Sequence, residues 1–140
     1  MNRYPITYSH LLRYDAGKPG ITVPAMLELN RVSVSAETKL DTGSTYCIFE
    51  RFLGERLGLD IEQGHPQWIS TVTGSFLVYG HEVTLNVEEF VFDSMVYFAD
   101  DPNFKRNVLG RFGFLQKVFC GMDDYAGELY LASGNTIEDV

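Results

Sequence analysis

The chain has 140 residues, enough for one domain with a real core, and its 45% apolar and 14% aromatic content excludes a disordered polymer. Eleven basic against 19 acidic residues leave a net charge of −8 with no Lys/Arg cluster, which excludes the basic face of a nucleic-acid binder. No apolar run reaches the length of a membrane-spanning helix and Met1-Asn2-Arg3-Tyr4-Pro5 does not begin a signal peptide, so a cytoplasmic protein without membrane contact is expected.

Residues 1–20 carry Pro5, Gly17, Pro19 and Gly20 as breakers and read as an arm, with at most a short strand near Ile6–Tyr8. Ile21–Leu29 alternates through Val23, Ala25, Leu27 and Leu29 and predicts a strand. Pro24, which lacks an N–H, places it at an edge or a strand start. Asn30-Arg31 predicts a hairpin tip, and Val32–Leu40 alternates again and ends on Asp41. The period then changes. Ile48, Phe49, Phe52, Leu53 and Leu57 recur at three and four residues opposite Glu50, Arg51, Glu55 and Arg56, which predicts a short amphipathic helix stopped at Gly58.

From Pro66 onward, Gln67–Val72 and Ser75–Tyr79 flank a hairpin turn at Thr73-Gly74, and a second turn at Gly80-His81 leads into Glu82–Val87. Phe90–Phe92 and Ser94–Phe98 add one or two strands before a loop at Asp100–Asn103. After Asn107–Arg111, the spacing of Phe112, Leu115, Gln116, Val118 and Phe119 predicts another short helix. Glu128–Ala132 is a closing strand, and Ser133–Val140 a frayed acidic tail. Many short strands, two short helices and no βαβ alternation give an all-β class, closed or sandwiched.

Asp41-Thr42-Gly43-Ser44-Thr45 is the run that carries chemistry. A carboxylate at a strand end, followed by two turn residues, holds one acid rigidly at a cleft. The run resembles the active-site loop of the aspartic proteases. In order along the chain come Leu40–Ser44, a hairpin within Trp68–Tyr79, Val108-Leu109-Gly110-Arg111 with a short helix, and Glu128–Ala132. That order is similar to the retropepsin-like, single-domain aspartic proteases of retroviral type, with bacterial-looking features. The resemblance covers residues 21–132 as the domain, leaving 1–20 as an N-terminal arm and 133–140 as an acidic C-terminal tail.

The resemblance implies a closed β-barrel of the acid-protease type, one lobe per chain, and an aspartic endopeptidase acting on an extended peptide or protein. Two nearby carboxylates repel and hold one proton between them, so one takes a proton from water while the other donates to the scissile carbonyl. No second Asp-Thr-Gly occurs, so the pair requires a symmetric homodimer with one Asp41 from each chain. The acidic charge doubles in such a dimer, opposing association near neutral pH and relaxing as carboxylates protonate. Asp41, Thr42 and Gly43 would form the catalytic loop, Thr42 bonding across the axis and Gly43 permitting close approach. Ser44 would hydrogen-bond the catalytic carboxylate, and Gly43, Ser44, Thr45 and Tyr46 would line the cleft. Thr73 and Gly74 would tip a mobile flap, while Val108, Leu109 and Gly110 support the loop from below. No cofactor or metal is implied.

Several positions depart from the viral pattern. Thr45 stands where an acid usually pairs with the Arg of the Gly-Arg step, leaving Arg111 without that partner. Lys39 replaces a common apolar residue, the flap tip has a single glycine, and the first helix is extra. In the viral enzymes the chain termini interleave into an intersubunit sheet, a role open here to Glu128–Ala132. An alternative reading is therefore a non-catalytic or weakly active binding or dimerisation module on the same fold. His10, His65 and His81 are scattered, no H-E-x-x-H pattern occurs, and Cys47 at the start of the expected apolar helix reads as a buried structural thiol, which disfavours metal-dependent and cysteine chemistry.

Overall fold

A computed structural model describes residues 1–134, in which the alternating segments become strands around one short α-helix. Strands β2 (Ile21–Leu29) and β3 (Val32–Leu40), which follow β1 (His10–Arg13), form an antiparallel hairpin. Its tip is Asn30-Arg31, where both residues take positive φ (49° and 68°), matching the twist of a tight hairpin. Val23, Ala25 and Leu27 face inward, as the alternation requires. Pro24 lies where β2 pairs with β3 alone, so no second ladder needs the N–H it lacks.

The first helix is shorter than its apolar spacing suggests. Ile48 and Phe49 form β4 (Ile48–Phe49), pairing with Tyr97 and Phe98, and α1 covers only Arg51–Arg56. Sheet pairing has taken the two residues that periodicity assigned to a helix. Glu50 at the N-cap makes no capping bond, because its carboxylate accepts from Asn107 Nδ2 at 3.1 Å. Gly58, at φ 87°, follows the end of α1 as expected.

The hairpin of β5 (His65–Thr71) and β6 (Gly74–Val87) turns on Val72-Thr73, one residue earlier than the sequence suggests. The expected turn at Gly80-His81 is absent, since β6 continues for 14 residues. A Cβ on Gly80 would sit 2.8 Å from the Tyr97 ring and 3.0 Å from Met95 Sδ, so this glycine marks close approach rather than a turn. The chain reverses instead at Glu88-Glu89, and β7 (Phe90–Ala99) is one strand. After β8 (Val108–Leu109), the expected second helix shrinks to a 3-10 turn at Leu115–Lys117. Val118 and Phe119 instead open β9 (Val118–Asp123), which pairs with β10 (Glu128–Ser133).

The N-terminal segment also departs from its reading as an arm. Its strand is β1, not Ile6–Tyr8, and it pairs with β10 so that Leu12 joins Leu129 and Leu131 in the core. Of the expected C-terminal tail, Ser133 ends β10, and residues 135–140 lie outside the described residues.

The larger sheet runs β2-β3-β8-β4-β7-β6-β5, and β2 also pairs with β6 over Met26–Glu28. The smaller sheet runs β1-β10-β9 and shares one apolar core with the larger. Leu27, Phe49, Leu85, Phe98, Leu109 and Phe114 are fully buried there. The protein is mostly β, as expected. Among the described residues no helix is long and apolar enough to cross a membrane.

Candidate active site

Asp41 emerges at the end of β3, where Lys39 and Leu40 pair in parallel with Val108 and Leu109. Its own N–H donates to the Leu109 carbonyl at 2.9 Å, which fixes the backbone from the β8 side. The chain then turns at once. The Gly43 N–H donates to Asp41 Oδ1 at 2.8 Å, and the Ser44 N–H donates to the Asp41 carbonyl at 3.2 Å. One carboxylate oxygen is thus held by backbone, while the other has no hydrogen bond among the described residues and the side chain is exposed. This is an oriented acid with one oxygen left open for chemistry.

A second segment, Val108–Phe112, braces the loop. The Arg111 N–H donates to the Ser44 carbonyl at 2.9 Å and the Phe112 N–H to the Thr45 carbonyl at 2.8 Å. Tyr46 and Phe112 form a parallel bridge with their rings edge-on. Gly110 allows this approach, because a Cβ there would overlap the Tyr46 carbonyl and lie 2.6 Å from the Ser44 oxygen. Leu109 is fully buried, whereas Val108 is half-buried and reaches the cleft.

Cys47 is sealed into the same junction. Its Sγ accepts from the Gly110 N–H at 3.3 Å and donates to the Phe112 carbonyl at 3.4 Å. Burial pushes the thiol up to about 11, outweighing the backbone bond at Gly110 and the Lys117 charge, which pull the other way. A neutral, enclosed thiol is a poor nucleophile. Iodoacetamide at pH 8 should leave Cys47 unmodified in native protein and alkylate it after denaturation, read by mass spectrometry of the peptide; native labelling at a free-thiol rate would contradict this burial. Because the folded state retains the proton above the ordinary thiol value, this group's contribution to stability is full below about pH 9 and is lost as pH rises through about 11.

A cleft of about 400 Å³ opens beside Asp41. Its floor is Asp41, Gly43, Ser44, Thr45 and Tyr46, and its walls come from Trp68–Thr71 of β5, Phe76 of β6, and Phe104, Arg106 and Val108. Behind the wall Ile48, Val78 and Tyr97 form a small buried cluster on which Tyr46, Ile69, Phe76 and Phe104 pack. This cluster ties the hairpin to the acid loop.

The structure thus gathers Asp41, Gly43, Ser44, Thr45 and Tyr46, but some sequence assignments change. Thr42 keeps its place on the acid loop, exposed on the turn. Thr73 and Gly74 sit at the exposed hairpin tip, outside the cleft lining, and the residues over the cleft are Trp68, Ile69, Ser70, Thr71 and Phe76. Ser44 Oγ donates to the Tyr46 carbonyl at 2.7 Å rather than to the carboxylate of Asp41. Arg111 forms no ion pair among the described residues; its guanidinium lies 5.7 Å from the Phe112 ring centroid. The closing strand β10, to which an intersubunit role was open, is central in its sheet, with β1 on one edge and β9 on the other.

Trp68, Ile69, Phe76, Phe104 and Arg106 were missed by sequence reasoning. Ile69 and Phe76 are direct cross-strand partners, so hairpin register alone marks them as one face. Phe104 has no local signal, since it is defined by stacking on Phe76 at 5.1 Å across the sequence. Among the described residues no group of three or more His, Cys, Asp or Glu side chains could hold a metal ion. Compared with protein-family models and with curated proteins, the chain matches none.

Proposed function

We propose that this chain is a retropepsin-like aspartic endopeptidase, active as a symmetric homodimer in which two Asp41 carboxylates share one proton and activate water. The observation that carries the reading is the open oxygen of Asp41, presented beside a peptide-sized cleft while its twin is held by Gly43. The lacing of Asp41–Tyr46 to Val108–Phe112 supports it, since a catalytic acid must be held rigidly to work. The β6–β2 pairing also supports the reading of the larger sheet as one closed acid-protease barrel, because the ladder β2-β3-β8-β4-β7-β6 returns to its start. In the dimer, Asp41 of one chain deprotonates the attacking water as its mate donates a proton to the scissile carbonyl, and the hairpin over the cleft excludes bulk solvent.

A second reading, a binding module without efficient proteolysis, is favoured by the occupied edges of β10 and by the turn of Ser44 Oγ toward Tyr46. Sedimentation across concentration and from pH 4 to 7, run beside cleavage of a peptide library, separates the two. Activity per chain should rise with concentration in step with the dimer fraction, and more steeply at mildly acidic pH where the −8 charge of each chain relaxes. A dimer that cleaves nothing, or a monomer at every condition, would favour the binding module.

A further inference from the structure

Asp41 stands on the ridge between two cavities. The cleft of about 400 Å³ lies on one side, and a second cavity of about 430 Å³, lined by Glu37, Lys39, Lys105 and Asn107, lies on the other. Among the described residues, only Asp41, Arg106 and Val108 line both. In a chain of net charge −8, the neighbourhood of the acid is thus unusually cationic: Lys39, Lys105 and Arg106 against Glu37 and Asp41. None of these three cations has an ion pair or side-chain hydrogen bond among the described residues, whereas Arg51 alone engages Glu55, Glu62 and Asp100.

Arg106 is exposed, but its backbone is bracketed. Two residues before it, Phe104 stacks on Phe76. One residue after it, Asn107 accepts from the Glu50 N–H at 3.0 Å, donates to the Glu50 carboxylate, and receives the Lys39 N–H on its carbonyl at 2.9 Å. The far end of the loop is held by Arg51 Nη1 donating to the Asp100 carbonyl at 3.2 Å. The backbone is held while the guanidinium itself stays unpaired among the described residues, so its fork of donors is available at the ridge, and its natural partner is a carboxylate.

We propose that Arg106 is a specificity-determining residue of this cleft, selecting extended peptides with an Asp or Glu side chain next to the residue seated against the Phe76–Phe104 wall. This rests on the reading of the cleft as a peptide-cleaving site. An apolar side chain fits the wall of Ile69, Phe76 and Phe104, and the adjacent side chain of an extended peptide alternates to the other face, where Arg106, which lines both cavities, is within the same site to meet it. Charge complementarity then acts on recognition, and it weakens with added salt because Arg106 is exposed.

The test uses the full chain and paired octapeptides, each with a central Phe flanked by Glu or by Gln. Cleavage should favour the Glu peptide about five- to tenfold in kcat/KM, mostly through KM. Arg106→Ala should remove the preference, and Arg106→Glu should transfer it to a Lys-flanked peptide, with thermal stability of both variants unchanged. Binding is read separately in Asp41→Asn through the fluorescence of Trp68, the single tryptophan, which lines the cleft. Cleavage without a Glu/Gln difference would overturn the proposal and leave the endopeptidase reading standing. Tighter binding of the Glu peptide without any cleavage by the native chain would retain the selection and remove the endopeptidase. Absence of both cleavage and binding would overturn the two together.

Discussion

Asp41→Asn should lower kcat/KM for peptide cleavage by about a thousandfold or more while leaving the fold intact. The carbonyl oxygen of Asn accepts the Gly43 N–H as the carboxylate does, so the turn at 41–44 has no reason to rearrange. Under the endopeptidase reading, what is lost is the capacity to take a proton from water, and in the symmetric dimer of that reading both halves lose it at once. The side chain is exposed, so its replacement exposes no apolar surface and unfolding free energy should change by less than about 0.5 kcal/mol. Cleavage rate, urea midpoint and sedimentation measured on one preparation decide the matter. Cleavage surviving in the purified variant would show that Asp41 is not the acid.

Gly110→Ala should be a strongly damaging single methyl at the junction that braces the Asp41 loop. The added carbon would meet two backbone carbonyls, Tyr46 and Ser44, neither of which is a side chain able to swing aside. Relief requires the acid loop to back away from β8, breaking the Ser44–Arg111 and Thr45–Phe112 bonds and unseating Cys47. A loss of about 3 kcal/mol in unfolding free energy is expected, together with inactivity in the fraction that still folds. Gly43→Ala is the internal comparison: its Cβ would stand 3.2 Å from the Asp41 Oδ1 atom on an exposed turn, so stability should fall far less. Equal urea midpoints for the Gly110 variant and the parent would refute this account of the junction.

How much of this could be read from residues alone varies with the distance over which each feature is decided. The β2–β3 hairpin was legible because alternation, Asn30-Arg31 and the strand end at Asp41 are all local. Val108-Leu109-Gly110 was expected as a support only through the resemblance, and the close crossing at Gly110 gives that role its physical reason. The strand β1 was not, because four residues gain their order only from β10, more than a hundred positions away. Leu115, Val118 and Phe119 imitate helical spacing, yet Val118 and Phe119 pair with Ser133 and Ala132 in a sheet. Gly80 imitated a turn because sequence carries no trace of the Tyr97 ring that leaves no room for a Cβ there. The candidate site divides the same way. Its acid loop is a contiguous motif, whereas Trp68, Phe104 and Arg106 reach it through tertiary packing.

The completed sheet β1-β10-β9 has a consequence for dosage. The chain supplies both neighbours of its own closing strand, so under the endopeptidase reading that sheet asks nothing of a mate and a folded monomer would serve as a reservoir. Under the endopeptidase reading, folding and competence are then separate equilibria, and while dimers are scarce the amount of competent enzyme follows the square of chain abundance. Doubling the protein would about quadruple its proteolytic output, and dilution would silence it without unfolding a single strand.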